Sequence, residues 1–149
     1  MKKINTFLIV CYANFCRSPV AEQILNHRYK GDANFNSAGI RPFPEAAMDK
    51  RSYDYLISQN IKTVVHNPKK LKQEMLNEVD YILAMDNQIL LTLNKLLPKH
   101  RNKIALFNKG LPHLTVFDPY KLNDEEYSEA MKRISSICNN FDKNFPISC

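Results

Sequence analysis

Cys11 and Cys16 stand five residues apart in VCYANFCRSP, and Arg17 directly follows the second of them. Three chemistries suit that set: a dithiol–disulfide pair, part of a metal site, or a nucleophilic sulfur beside a guanidinium that holds an anion. The remaining cysteines, Cys138 and Cys149, complete neither a C-x-x-C pair nor a cluster with neighbouring histidines, so no metal is expected. A five-residue loop between a sulfur and an arginine at a helix start can turn several backbone N–H groups inward and cradle a tetrahedral oxyanion. Arg17 adds a planar fork for two oxygens, and Ser18 a hydrogen bond to the sulfur. The same positive field favours thiolate over thiol, which makes Cys11 the candidate nucleophile. A cysteine at a strand end is, taken alone, more often plain core; the arginine and the helix start set this one apart.

The elements that must position these residues are legible around them. INTFLIVC (residues 4–11) is a short apolar run of the kind that forms a strand buried on both faces. Behind the motif, Val20, Ala21, Ile24 and Leu25 recur at helical spacing, with Ser18 suited to the N-cap and Pro19 to the first helical position. NFNSAG (34–39) reads as a second strand, Pro42 and Pro44 as loop, and 45–60 as a helix with Met48, Leu56 and Ile57 inward. KKLKQEML (69–76) predicts a short helix, VDYILAM (79–85) a buried strand, and 86–97 a helix capped by Asp86 with Ile89, Leu90, Leu93 and Leu97 on one face. KIALF (103–107) is a further strand. The last helix is capped by Asn123, carries acids against its positive end, and shows Tyr127, Ala130, Met131, Ile134, Cys138 and Phe141 as its stripe. Strands alternating with helices imply right-handed crossovers, hence a single-domain α/β sandwich over 1–149. Its sheet should be four-stranded, mostly parallel and flanked by helices on both faces, with the ligand site beyond the strands' carboxyl ends, where Cys11 falls.

The 149 residues are 44% hydrophobic, contain only 3 glycines and show no low-complexity run, which suits one compact unit. A net charge of +6 favours anionic partners in general. Scattered lysines and the lack of a zinc-finger or helix-turn-helix spacing argue against nucleic acid, and no segment suits a membrane. Lys2-Lys3 and the apolar run behind them superficially resemble a secretory signal, but cleavage there would remove the first strand and Cys11, so a cytoplasmic protein is expected.

C-x5-R-S followed by PVAE resembles the signature loop of the low-molecular-weight protein tyrosine phosphatases, with Cys11, Asn14, Cys16, Arg17, Ser18, Pro19, Ala21 and Glu22 matching. NSAG (36–39), DYILAMD (80–86) and FDPY (117–120) follow in that family's order, so the resemblance spans nearly the whole chain. It implies that Cys11 attacks phosphorus to form a phosphocysteine, while Arg17 and the loop amides hold the equatorial oxygens. Asp118 would protonate the departing phenolate and then activate the hydrolytic water, with no cofactor. Asn14, tied to Ser37 and His66, would support the loop. Ala13 replaces the family's usual glycine, and a positive φ there would cost about 1 kcal/mol or more.

The resemblance also implies a deep aromatic slot formed by Tyr12, Phe15, Phe43 and Tyr120, which suits phosphotyrosine and leaves phosphoserine short of Cys11. Arginine phosphatases of the family carry a small threonine where Phe15 stands. Cys11 and Cys16 could close a reversible disulfide that blocks and protects the nucleophile. Two other readings compete. A thioredoxin-coupled arsenate reductase shares the loop but needs relay cysteines near residues 85–97, which contain none; a non-catalytic phosphotyrosine-binding module would keep the cradle but not both Cys11 and Asp118. Residues 103–121 are similar to bacterial members associated with polysaccharide export, which implies phosphotyrosine proteins as partners, among them an autophosphorylating tyrosine kinase, and inorganic phosphate or similar oxyanions as ligands.

Overall fold

The computed structural model describes residues 4–43 and 47–144; Lys2, Lys3, Pro44, Glu45 and Cys149, named above, lie outside them. Strands β1 (Thr6–Cys11), β2 (Asn34–Gly39), β3 (Tyr81–Ala84) and β4 (Ile104–Leu106) form one sheet in the order β2-β1-β3-β4. Every adjacent pair is parallel. Parallel neighbours require crossovers, supplied by α1 (Ser18–Tyr29) after β1, α2 (Lys50–Ser58) and a 3-10 segment (Gln73–Glu78) after β2, and α3 (Asn87–Leu96) with another 3-10 segment (Pro98–Lys103) after β3. Helix α4 (Asp124–Asn139) follows β4.

Strand β1 is central and buried on both faces, which accounts for its unbroken apolar run. Phe7, Ile9 and Cys11 face a core shared with α1, α2 and α4, whereas Leu8 and Val10 face a second core closed by Ile89 and Leu93 of α3 and by Leu76. Phe7 stacks on Phe35 at 5.0 Å, and Phe141 meets both rings edge-on from just beyond the end of α4. The sandwich with helices on both faces is therefore as expected. Among the described residues no helix is long and apolar enough to cross a membrane.

Three local expectations change. Ser18 is the first helical residue and Arg17 occupies the N-cap position, because the Ser18 hydroxyl is engaged by Cys11 and Asn14. Helix α2 starts only at Lys50, where Asp49 caps it by accepting the Arg51 N–H; Leu56 is fully buried, but Ile57 is 48% exposed and Met48 precedes the helix. Lys70 bridges to Gly39, so the helical part of the next segment shrinks to the 3-10 turn.

Candidate active site

The chain leaves β1 at Cys11 and re-enters regular structure at Ser18. The stretch between holds one shape because its carbonyls are bonded outward. Cys11 C=O accepts from Ile40 N–H at 3.2 Å, Tyr12 C=O from Arg41 N–H at 2.8 Å, and Phe15 C=O from Asp49 N–H at 3.0 Å. Cys16 C=O accepts from the Ser52 hydroxyl at 2.8 Å, and Asn14 C=O lies 2.8 Å from His66 Nε2, which must therefore carry the proton. With the carbonyls so committed, the N–H groups of Ala13, Phe15, Cys16 and Arg17 have no protein acceptor among the described residues. Free amides beside the positive end of α1 make an oxyanion cradle.

Asn14 is the keystone of that loop. It is fully buried, and it takes the left-handed conformation at φ 53°. Ala13 does not, so the strain expected from the missing glycine does not arise. The Asn14 Nδ2 donates to Ser18 Oγ and Ser37 Oγ, each at 2.9 Å, and Oδ1 accepts from Lys69 N–H at 2.9 Å. Ser18 Oγ, which accepts from Asn14, lies 2.9 Å from Cys11 Sγ. The Asn14 N–H reaches the same sulfur at 3.3 Å. The Ser18 hydroxyl and the Asn14 N–H thus converge on one sulfur.

Arg17 is almost completely buried, and its Nη1 donates to Asp86 Oδ2 at 2.8 Å and to Val116 C=O at 3.0 Å. Burial works against its charge, yet Cys11, Asp86 and Asp118 together hold its pKa above the ordinary arginine value. Pinned through one nitrogen, the guanidinium keeps the rest of its fork for an anion. Cys16 is different: burial pushes its thiol up to about 12, against an opposing hydrogen bond from Tyr127 and with help from Asp49. It remains a thiol at neutral pH. Cys11, Cys16 and Cys138 are all unpaired.

A cavity of about 240 Å³ opens over the sulfur, lined among others by Tyr12, Phe15, Arg17, Asp118 and Tyr120. Asp118 is exposed at its mouth, and its Oδ1 accepts from Tyr120 N–H at 3.2 Å. Phe15, Phe43 and Tyr120 meet one another with centroids 5.2, 5.9 and 5.3 Å apart. A phenyl ring inserted between two others needs about 7 Å, twice a carbon contact distance. No ring fits between any two of these three, which form one wall of the cavity that Tyr12 also lines.

The structure brings all the anticipated residues together: Cys11, Tyr12, Ala13, Phe15, Cys16, Arg17, Phe43, Asp118 and Tyr120 around the cavity, with Asn14, Ser18, Ser37 and His66 behind it. It adds two that sequence reasoning missed. Asp86 was read only as a helix cap, a role it fills by accepting Ile89 N–H at 2.9 Å, but its second oxygen holds Arg17. Gly39 ends β2 beside Cys11, and a Cβ there would lie 2.8 Å from Asn14 N and 2.9 Å from Tyr12 O. Both stand at carboxyl ends of strands next to β1, which was the available signal.

A parallel α/β sheet that presents a sulfur, free amides and a buried arginine at its carboxyl edge defines a class of anion-handling enzyme. The family profile of low molecular weight phosphotyrosine protein phosphatase matches residues 6–146, and the chain belongs to that family, as a protein-tyrosine-phosphatase. It is 30% identical over 125 residues to the low molecular weight protein-tyrosine-phosphatase Etp of Escherichia coli (strain K12), covering 84% of each chain. The fold matches that of Vibrio vulnificus Wzb in complex with benzylphosphonate at a TM-score of 0.86, with 24% identity over 96% of this chain and 100% of that one. It matches the YwlE arginine phosphatase from Geobacillus stearothermophilus at 0.83, with 21% identity over 91% and 88% of the two chains. Fold alone therefore does not select the phosphorylated side chain.

Proposed function

We propose that this enzyme hydrolyses phosphotyrosine in proteins in two half-reactions at Cys11. The thiolate attacks phosphorus in line with the ester oxygen; the S–P bond forms, the P–O bond breaks, and Asp118 gives its proton to the departing phenolate. Charge growing on the three equatorial oxygens is met by the loop amides and Arg17. Water then attacks the phosphocysteine while Asp118 takes its proton, releasing inorganic phosphate and the thiolate. The observation that carries this reading is the convergence of Cys11, Arg17 and Asp118 on one cavity, with loop amides that have no protein acceptor among the described residues.

The aromatic wall of Phe15, Phe43 and Tyr120 supports a phenyl-bearing substrate. A relay for arsenate reduction finds no support: Cys138 is fully buried, its thiol raised by burial, and its sulfur lies 4.0 Å from Ala21 C=O between α4 and α1. The enzyme is proposed to act in the cytoplasm on tyrosine-phosphorylated proteins, including a bacterial autophosphorylating kinase. Cys16 is proposed to resolve an oxidised Cys11, its sulfur displacing water from the sulfenic acid to close a disulfide. A thiol held up to about 12 makes that step slow at neutral pH.

The test is hydrolysis of para-nitrophenyl phosphate and a phosphotyrosine peptide under reducing conditions by wild type, Cys11→Ser and Asp118→Asn. The first change should abolish turnover of both substrates; the second should reduce turnover of the peptide on the order of 100-fold or more and that of para-nitrophenyl phosphate, whose leaving group is weakly basic, much less. Tight phosphate binding without wild-type turnover would favour a binding module instead.

A further inference from the structure

We propose that Arg51 is a positioning residue that holds the Asp118 segment in register with the phosphate cradle; the proposal rests on Asp118 being the general acid. The start of α2 is already fastened to the cradle, through Asp49 N–H to Phe15 C=O at 3.0 Å and the Ser52 hydroxyl to Cys16 C=O at 2.8 Å. Between these two residues, Arg51 reaches the opposite way. Its Nη2 donates to Tyr120 C=O at 3.0 Å and its Nη1 to Leu122 C=O at 2.8 Å, with Asp124 Oδ1 at 3.3 Å. The guanidinium lies over the Tyr127 ring, 3.9 Å from its centroid, and Nε is 3.7 Å from Asp49 Oδ1.

The segment that Arg51 grips has no regular structure, and its internal ties are short-range: Tyr120 N–H to Asp118 Oδ1, and Leu122 N–H to Pro119 C=O. Those ties fix its local turn, while the cradle touches the segment on either side of Asp118, through Arg17 Nη1 to Val116 C=O at 3.0 Å and the Tyr120 ring against Phe15. Among the described residues, the hydrogen bonds that join Tyr120 and Leu122 to another element are both from Arg51. A planar fork stacked on a ring reaches the two carbonyls from two separate nitrogens held in fixed geometry, whereas a lysine ammonium at that place would offer a single flexible point of donation without the stacking. Nucleophile and acid sit on loops that are far apart in the chain, and the start of α2 adds a tie from the cradle to the carbonyls just after Asp118.

Displacing a positioned group by about 1 Å can cost on the order of 100-fold in rate. A displaced acid also has a signature that general loosening lacks, because a basic leaving group needs the proton and a weakly basic one does not. The experiment compares kcat/KM for phenyl phosphate and para-nitrophenyl phosphate in wild type, Arg51→Ala, Arg51→Lys and Asp118→Asn, with competitive inhibition by inorganic phosphate as the probe of the cradle. Both Arg51 variants are expected to lose on the order of 100-fold on phenyl phosphate and less than about 10-fold on para-nitrophenyl phosphate, with phosphate inhibition within about twofold of wild type. Equal losses on the two esters, or a matching loss of phosphate binding, would overturn the proposal. Asp118→Asn should show the same split between esters; if it does not, the acid assignment itself falls and takes the brace with it. Should Arg51→Ala fail to fold, Arg51→Lys, which keeps its stem against Tyr127, carries the comparison alone.

Discussion

Replacing Asn14 separates two contributions that the loop combines. In Asn14→Ala the left-handed backbone at φ 53° must be held by a residue with a Cβ and no compensating side chain, at a cost of about 1–2 kcal/mol. Ser37 Oγ loses its Nδ2 donor and Lys69 N–H its Oδ1 acceptor at a position with no solvent exposure. Each polar group so stranded costs about 1–3 kcal/mol, and with the backbone cost the combined loss is about 3–8 kcal/mol. That is a large share of the roughly 5–15 kcal/mol of a typical domain. Asn14→Gly removes the same hydrogen bonds but relieves the backbone term, so it should be more stable than Asn14→Ala by about 1 kcal/mol. Urea denaturation with a common m-value measures both differences, and kcat/KM should fall on the order of 100-fold in each as the cradle loses its geometry. An alanine variant within about 1 kcal/mol of wild type, or a glycine variant no more stable than the alanine one, would refute this account of the loop.

Gly39→Ala places a methyl group 2.8 Å from Asn14 N and 2.9 Å from Ala13 C, both backbone atoms, so the cradle must move; phosphate inhibition should weaken and the melting temperature drop. Asp86→Asn keeps an acceptor for Ile89 N–H but removes the charge that meets Arg17 at 2.8 Å, and should lower stability by about 1.5–3 kcal/mol in urea titrations. Alkaline stability follows from three buried acids. Cys16 is raised from 9.0 to about 12, and burial also raises Tyr127 and Cys138, so the unfolded chain releases these protons before the folded one does. Between about pH 9 and 12 the native state binds more protons, and stability falls as pH rises, by on the order of 1 kcal/mol per pH unit for each group. Melting temperatures that hold constant from pH 8.5 to about 10.5 would contradict this.

How much of this was legible in the chain depends on the range of the interactions. Residues 4–11 read as a two-sided strand because β1 is central, and Asp86 and Asn123 read as caps because capping is local: their side chains accept from Ile89 N–H and Glu126 N–H. Ser18 misled for the same reason. Its type suits a cap, but its hydroxyl is taken by Cys11 and Asn14 across the loop, a tertiary claim that no local pattern shows. The positive φ looked for at Ala13 belongs instead to its neighbour Asn14, a residue type that adopts the left-handed region more readily. The second role of Asp86 and the grip of Arg51 on Tyr120 and Leu122 depend on residues about 70 positions away, which spacing does not reveal. The aromatic wall is similar: the residue types were visible, but the packing of Phe15, Phe43 and Tyr120 against one another was not.

The central claim is that phosphoryl transfer passes through Cys11. Acid quenching of wild-type enzyme during turnover of para-nitrophenyl phosphate, followed by peptide mass spectrometry under conditions that preserve thiophosphates, tests it directly. The account predicts one phosphoryl group on the peptide that carries Cys11, absent from Cys11→Ser; turnover with that peptide unmodified, or with the phosphoryl group on another residue, would contradict it.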